Sequence, residues 1–340
     1  MVMRYVEVHG ERLSAIGLGT WQFGSKEWNY GRSYEEKESA AIVNKALDLG
    51  VNLIDTAEAY GWGRSERAVG RALSSRREEA FVATKVFPIM PVDPVVRDRA
   101  RRSAARLRVD TIDLYQIHWP NPVIPLNLTM RAMAGLQRDG IVKHVGVSNF
   151  SLGGWQQAER FLSGNVLSNQ VRYNLLDRRI EADILPWAQE TGHVVIAYSP
   201  LAQGLLSGRY SAGNIPDGLR AYTAAFQPGN LARAEPVVEV LKGISREHGA
   251  TPTQVALAWL IRRPNVVAIP GAGSLSQLQA NVEAADLELS DDEDSELDQV
   301  SKAYRSSSGP NAAALRAVKA GQLLVSRTIE RYTKPIKSAW

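Results

Sequence analysis

Apolar and polar positions alternate with two different periods along this chain, and the switches between them predict its elements. Short apolar runs read as strands: Leu13 to Gly19, Val51 to Asp55, Phe81 to Lys85, Ile112 to His118, His144 to Ser148, Leu167 to Val171, Val194 to Ser199 and Val266 to Pro270. Residues 1 to 12 read as a small hairpin turning at His9-Gly10. Between the strands the apolar residues take up helical spacing. One helix follows Ser33, whose spacing to Glu36 spells a capping box, and stops at Gly50. Others fall near 65–74, 94–108, 128–139, 152–163 and 181–191. The last stretch, 231–263, is two pieces broken around Gly249 and Pro252.

Strand and helix alternating through eight units, with no break in composition, predict an α/β fold of the closed (β/α)8 TIM-barrel kind with an N-terminal hairpin. An open doubly wound sheet is the alternative, but no Gly-x-Gly-x-x-Gly follows the first strand. Gly271-Ala272-Gly273 comes nearest and lacks the third glycine. Two connections are long, Trp119 to Asn127 and Pro200 to Asn230, and long loops on the catalytic face of a barrel shape pockets. The barrel domain is expected over 1–304. Residues 305–340 form a C-terminal extension, with Ser306-Ser307-Ser308-Gly309-Pro310 as linker and a helical apolar stripe expected to pack on the barrel.

Composition narrows the class. A chain of 340 residues, 44% hydrophobic, buries a large core, and the absence of cysteine excludes disulfides and thiolate metal sites. The five histidines, His9, His118, His144, His193 and His248, show no ligand spacing, so no metal is expected. The start lacks a signal-peptide core and no apolar run spans a bilayer; a cytoplasmic protein without membrane contact is expected. The net charge of +4 is modest. Its one local concentration, the arginines between Asp93 and Val109, falls off the apolar stripe of Val96, Ala100, Ala104 and Leu107, and reads as a solvated helix face rather than a nucleic-acid surface.

Candidate chemistry sits at strand ends, where parallel α/β proteins carry their sites. The run from Val51 delivers Asp55, and Tyr60 follows in a Gly-rich loop before a helix begins near Ser65. Lys85 and His118 close the next two apolar runs.

These residues spell a family. Ile16-Gly17-Leu18-Gly19-Thr20-Trp21 resembles the opening signature of the aldo-keto reductase superfamily, and Asp55-Thr56-Ala57-Glu58-Ala59-Tyr60-Gly61 resembles its Asp-Thr-Ala-x-x-Tyr-Gly motif. Thr84-Lys85, Ile117-His118-Trp119-Pro120, Gly146-Val147-Ser148-Asn149-Phe150, Asn169-Gln170-Val171-Arg172-Tyr173-Asn174, Tyr198-Ser199-Pro200-Leu201 and Ile269-Pro270-Gly271 follow in the family's order, so that the likeness covers roughly residues 3 to 290. The resemblance implies NADPH-dependent reduction of an aldehyde or ketone with Tyr60 as general acid. Gly204 to Tyr210 is also similar to the β-subunits of voltage-gated potassium channels, which implies a competing role as a redox-sensing, cofactor-binding module acting through protein partners.

Carbonyl reduction needs a hydride donor, which no side chain supplies, and a proton donor for the developing alkoxide; a nicotinamide cofactor is therefore required. A cation beside a phenol draws its pKa down, and Lys85 is the candidate cation, held by Asp55, with His118 orienting the substrate oxygen. A Schiff-base aldolase barrel also uses a strand-end lysine, but needs a depressed lysine pKa that Asp55 would oppose.

By the same likeness Ser148, Asn149 and Gln170 bond the nicotinamide carboxamide, Tyr198 stacks on its ring, and Ser199, Pro200, Leu201, Gln203 and Gly204 cover the pyrophosphate. Gly19, Thr20, Trp21, Asp55 and Ile269 complete the cofactor side, and Gly271, Gly273, Ser274, Gln277, Gln279 and Asn281 open a helix whose N–H groups suit phosphate. Many relatives carry Lys and Arg where this chain has Gly273 and Ser274, so NADP(H) is expected with NAD(H) possible. Trp21, Trp28, Trp62, Phe87 and Trp119, with Tyr30 and Asn121, are expected to rim a pocket for a small-molecule carbonyl substrate. The sequence carries no signal for oligomeric state.

Overall fold

The structure is a computed structural model and describes residues 3–24, 36–211, 213–216, 221 and 223–305. Strands β1 (Tyr5–Val8) and β2 (Glu11–Ser14) pair as an antiparallel hairpin around His9-Gly10. β3 (Leu18–Gly19), α1 (Glu36–Asp48), β4 (Leu53–Asp55), α2 (Arg64–Ala72), β5 (Phe81–Val86), α3 (Asp93–Leu107), β6 (Ile112–Ile117), α4 (Leu126–Arg138), β7 (Val142–Ser148), α5 (Leu152–Leu162), β8 (Val166–Arg172), α6 (Ile184–Thr191) and β9 (Val194–Tyr198) then alternate. α7 (Pro228–Glu247), α8 (Pro252–Ile261), β10 (Val266–Ala268), α9 (Leu275–Glu283) and α10 (Asp291–Lys302) complete the described chain. Strands β3 to β10 form one parallel eight-stranded sheet in sequence order. Parallel bridges Ile16 to Ala268 and Gly19 to Gly271 join its two ends and close the barrel.

The first expected core strand divides in two. Leu13 pairs with Val6 in the hairpin, and the barrel keeps only Leu18–Gly19. The physical reason is that Leu13 is fully buried inside the barrel floor, among Val8, Leu53, Phe81, Leu114, Val194 and Val267, so the hairpin acts as a plug. Above this apolar floor the inward positions turn polar two residues on, at Asp55, Lys85 and Gln116, because strand side chains alternate. The larger apolar layer lies between sheet and helices. The expected break between α7 and α8 is present: Gly249 adopts φ +60°, and Thr251 and Gln254 form a capping box. Ser33, the residues 25–35 and the extension from 306 onward lie outside the described residues. Among the described residues no helix is long and apolar enough to cross a membrane, and no His, Asp and Glu converge in a group that could hold a metal.

Candidate active site

Four strand ends converge at the mouth of the barrel. Lys85 Nζ donates to both oxygens of Asp55 at 2.8 Å, to the Thr56 carbonyl at 2.8 Å, and lies 3.2 Å from the Tyr60 hydroxyl. Gln170 Nε2 donates to Asp55 Oδ1 at 2.7 Å. Tyr60 reaches this point because the loop after β4 tightens into a 3-10 turn, Tyr60–Trp62, with Gly61 at φ +53°. A Cβ there would meet the Gly24 carbonyl at 2.8 Å, so only glycine fits. The His118 ring stands edge-on to Tyr60 at 5.8 Å and stacks on Trp119 at 4.0 Å, while Phe87 meets both His118 and Trp119 edge-on.

Burial sets the electrostatics. Lys85, Asp55 and His118 are all buried. Desolvation pushes the Asp55 carboxyl up against the pull of Lys85, and pushes the Lys85 ammonium down against the pull of Asp55. His118 is held well below the usual histidine range, first by burial and then by the Lys85 charge, so the ring is neutral at neutral pH. Its Nδ1 is buried without a hydrogen-bond partner.

Tyr60 departs from expectation. Burial, then the charge of Asp55, hold its phenol well above the ordinary value, whereas the sequence argument has Lys85 drawing it down. Burial is the first reason, and Asp55 adds its own charge while holding the ammonium in a two-oxygen contact. The Lys85 shift also removes the argument used against an aldolase, since burial depresses this lysine despite Asp55. What opposes Schiff-base chemistry is that the Lys85 N–H groups are engaged by Asp55, Thr56 and Tyr60, leaving no free amine to attack.

A second polar group adjoins the first. Tyr198 donates its hydroxyl to Asn149 Oδ1 at 2.9 Å, Asn149 Nδ2 donates to the His118 carbonyl and to Ser148 Oγ, and Ser148 donates to the Gln170 carbonyl at 2.8 Å. Asn149, Ser199, Ala202, Gln203 and Gly204 all have positive φ. Such a run of left-handed residues is strain of the kind that collects in ligand-binding loops.

A profile of the Aldo/keto reductase family matches residues 15–302. The chain belongs to this family. It is thus an NAD(P)H-dependent oxidoreductase. The chain is 49% identical over 304 residues to an uncharacterized oxidoreductase of Mycobacterium tuberculosis, covering 89% of this chain and 94% of that one. It is 34% identical to methylglyoxal reductase YeaE of Escherichia coli, covering 92% and 99%. A crystal structure of an aldo-keto reductase from Klebsiella pneumoniae in complex with NADPH superposes with a TM-score of 0.71 at 31% identity, covering 91% of this chain and 98% of that one.

Several residues of this aldo/keto reductase that are expected at the cofactor or substrate make hydrogen bonds within the protein. The Thr20 hydroxyl is fully buried, bonded to the Asp55 carbonyl at 2.8 Å and to Ser65, so it braces the end of β4. Asn121 accepts from Val123 and Ile124 N–H within its own loop and donates to the Pro88 carbonyl of the loop after β5. Gln279 turns along α9 to Glu283. Ser274 caps α9 by accepting from Gln277 N, the Gly273 N–H is taken by Gln277 Oε1, and Asn281 donates to the Gly271 carbonyl. Trp21 and Trp62 are about half exposed after β3 and Tyr60; Trp28 and Tyr30 lie outside the described residues. Gly19 packs so tightly that a Cβ would sit 2.7 Å from the Ile269 carbonyl.

Supports unanticipated from sequence surround the site. Glu66 is fully buried, accepting from Thr84 and from Arg106 Nε. Glu58 is gripped by Arg99. Arg99 and Arg106 were expected on a solvated face; they instead lie mostly buried against the loops and helix beside α3, with carboxylates as partners.

Proposed function

We propose that this chain reduces small aldehydes and ketones with NADPH, with Asp55, Tyr60, Lys85 and His118 as the catalytic set. The observation that carries the proposal is the Lys85 ammonium, bound to both oxygens of Asp55 and 3.2 Å from the Tyr60 hydroxyl, beside a neutral His118 at the barrel mouth. Tyr60 keeps its proton at neutral pH. An alkoxide is more basic than a phenolate, so even this raised phenol gives up its proton as charge develops on the substrate oxygen, and Lys85 then stabilises the phenolate left behind. The neutral His118 ring donates an N–H to the same oxygen and orients the carbonyl. Phe87, Trp119, Trp21 and Trp62 supply apolar walls.

A nicotinamide dinucleotide, when bound, supplies the hydride. The donor set suits it: Ser148, Asn149 and Gln170 present amide and hydroxyl groups at adjacent strand ends beside the half-buried Tyr198 ring, the combination that a carboxamide on a flat heterocycle requires. The relative that reduces methylglyoxal supports short 2-oxoaldehydes as the first substrates to try. With NADPH and methylglyoxal, loss of the nicotinamide absorbance in step with hydroxyketone formation is expected. Cofactor binding without turnover across a panel of aldehydes would favour the partner-acting module instead.

The preference for NADPH over NADH is expected to be modest. A 2′-phosphate normally meets an Arg or Lys. Here Gly273 and Ser274 stand at the start of α9, and two donors there, Gly273 N and Gln277 N, are already engaged by side chains of the same turn. Ser274→Arg is expected to widen the ratio of kcat/KM values for the two cofactors about tenfold, roughly 1.4 kcal/mol. An unchanged ratio would remove the α9 N-terminus from the phosphate site.

A further inference from the structure

The loop that carries Tyr60 and the loop that carries Phe87 are tied together by one buried ion pair. Glu58, two residues before Tyr60, meets Arg99 of α3 in a two-point contact, Nη2 to Oε1 at 2.7 Å and Nε to Oε2 at 3.0 Å. Both partners are largely buried, with side-chain exposures of 11% and 18%, which separates this pair from the solvated ion pairs elsewhere on α3. The same two side chains hold the Phe87 backbone from both sides. Phe87 N–H donates to Glu58 Oε1 at 2.5 Å, and Arg99 Nη1 donates to the Phe87 carbonyl at 2.6 Å and to that of Ile89 at 3.3 Å. Phe87 thus has its N–H and C=O fixed by side chains just past the end of β5, where the sheet no longer supplies partners. Its ring is the edge against which His118 and Trp119 pack, at 6.1 Å and 5.6 Å.

We infer that Glu58 and Arg99 are positioning residues that fix the Phe87 wall of the pocket, and that they set this enzyme's capacity for aromatic carbonyl substrates. The inference rests on the proposed function, because it needs the space between Tyr60, His118 and Phe87 to hold the carbonyl. A planar aromatic aldehyde uses that wall along its length; a short aldehyde meets Tyr60 and His118 without it. Loosening Phe87 therefore penalises the first and spares the second. Lysine in place of Arg99 restores a charge but only one point of contact.

The test is steady-state kinetics of Arg99→Met and Arg99→Lys with benzaldehyde and with methylglyoxal, NADPH held saturating. In Arg99→Met, KM for benzaldehyde is expected to rise about fivefold or more with kcat within about twofold, and kcat/KM for methylglyoxal to stay within about twofold. Arg99→Lys should fall between. Phe87→Ala should raise KM for benzaldehyde at least as much as Arg99→Met does, and Arg99→Met on that background should add nothing to that rise. Equal losses on both substrates would overturn the inference, because they mark general loosening of the fold, and so would additive losses in the double variant. If Arg99→Met does not fold, Arg99→Lys alone and combined with Phe87→Ala decides by the same criteria. Wild-type turnover of methylglyoxal reports on the proposed function, whereas the ratio between the two substrates reports on the clasp.

Discussion

Tyr60→Phe is expected to bind NADPH as tightly as the parent and to lose carbonyl reduction by a factor of roughly 100 to 10,000, about 3 to 5 kcal/mol of transition-state stabilisation. The ring stays and only the hydroxyl goes, so packing against His118 is preserved. What disappears is the phenol hydroxyl that lies 3.2 Å from the Lys85 ammonium. Because burial and Asp55 hold the phenol above its ordinary range, the parent's donor form persists through neutral and mildly alkaline pH, and its kcat should show no loss from phenol ionisation below about pH 9. Cofactor affinity is read from quenching of tryptophan emission and activity from the nicotinamide absorbance. A variant keeping more than about a tenth of kcat/KM would mean that another group delivers the proton.

The barrel was legible from sequence because its signal is repeated and local. Apolar runs of strand length ending in Asp55, Lys85 and His118 each report their own position, and strand alternation puts Leu53 and Ala83, two residues before Asp55 and Lys85, on the barrel floor. Leu13 misled because an apolar residue beside a turn fits either the hairpin or the first barrel strand, and only closure of the barrel assigns it to the plug. Helix α10 was passed over although Ser290 and Glu293 spell a capping box that the structure forms. That signal was available.

Other features depend on tertiary contacts that no local pattern encodes. Helical spacing on α3 places Val96, Ala100 and Leu107 against the sheet, but says nothing of the loops beside the helix that receive Arg99, or of the buried Glu66 that receives Arg106. Thr20 is expected on the cofactor side by the family likeness; its hydroxyl is bonded to the Asp55 carbonyl and to Ser65, which no local pattern shows. The direction of the Tyr60 shift was missed for a related reason. Proximity of a cation can be guessed from strand order, but burial and the prior claim of Asp55 on that cation cannot.

Lys85→Met is expected to impair both activity and stability, and the stability effect should carry its own pH signature. In the parent, the Lys85 and Asp55 side chains are 0% and 3% exposed, so methionine leaves a buried carboxylate with the Gln170 amide but no cation. Breaking a buried pair from one side costs about 3 to 5 kcal/mol. Desolvation already raises Asp55 above its ordinary 3.8 with the lysine opposing; without the lysine the folded-state value rises further. A carboxyl protonated in the folded chain and ionised in the unfolded chain means that folding takes up a proton, so the variant loses stability as pH rises through the window above 3.8 and regains it as pH falls. Denaturant midpoints compared across pH should therefore show the gap between parent and variant widest near about pH 7 and narrowing toward about pH 4. Adding Asp55→Asn should recover part of the loss at neutral pH, because it removes the buried charge, while restoring no activity. A gap that stays the same at every pH would show that Asp55 does not take up the proton, and that the two groups are coupled less tightly than their 2.8 Å contacts require.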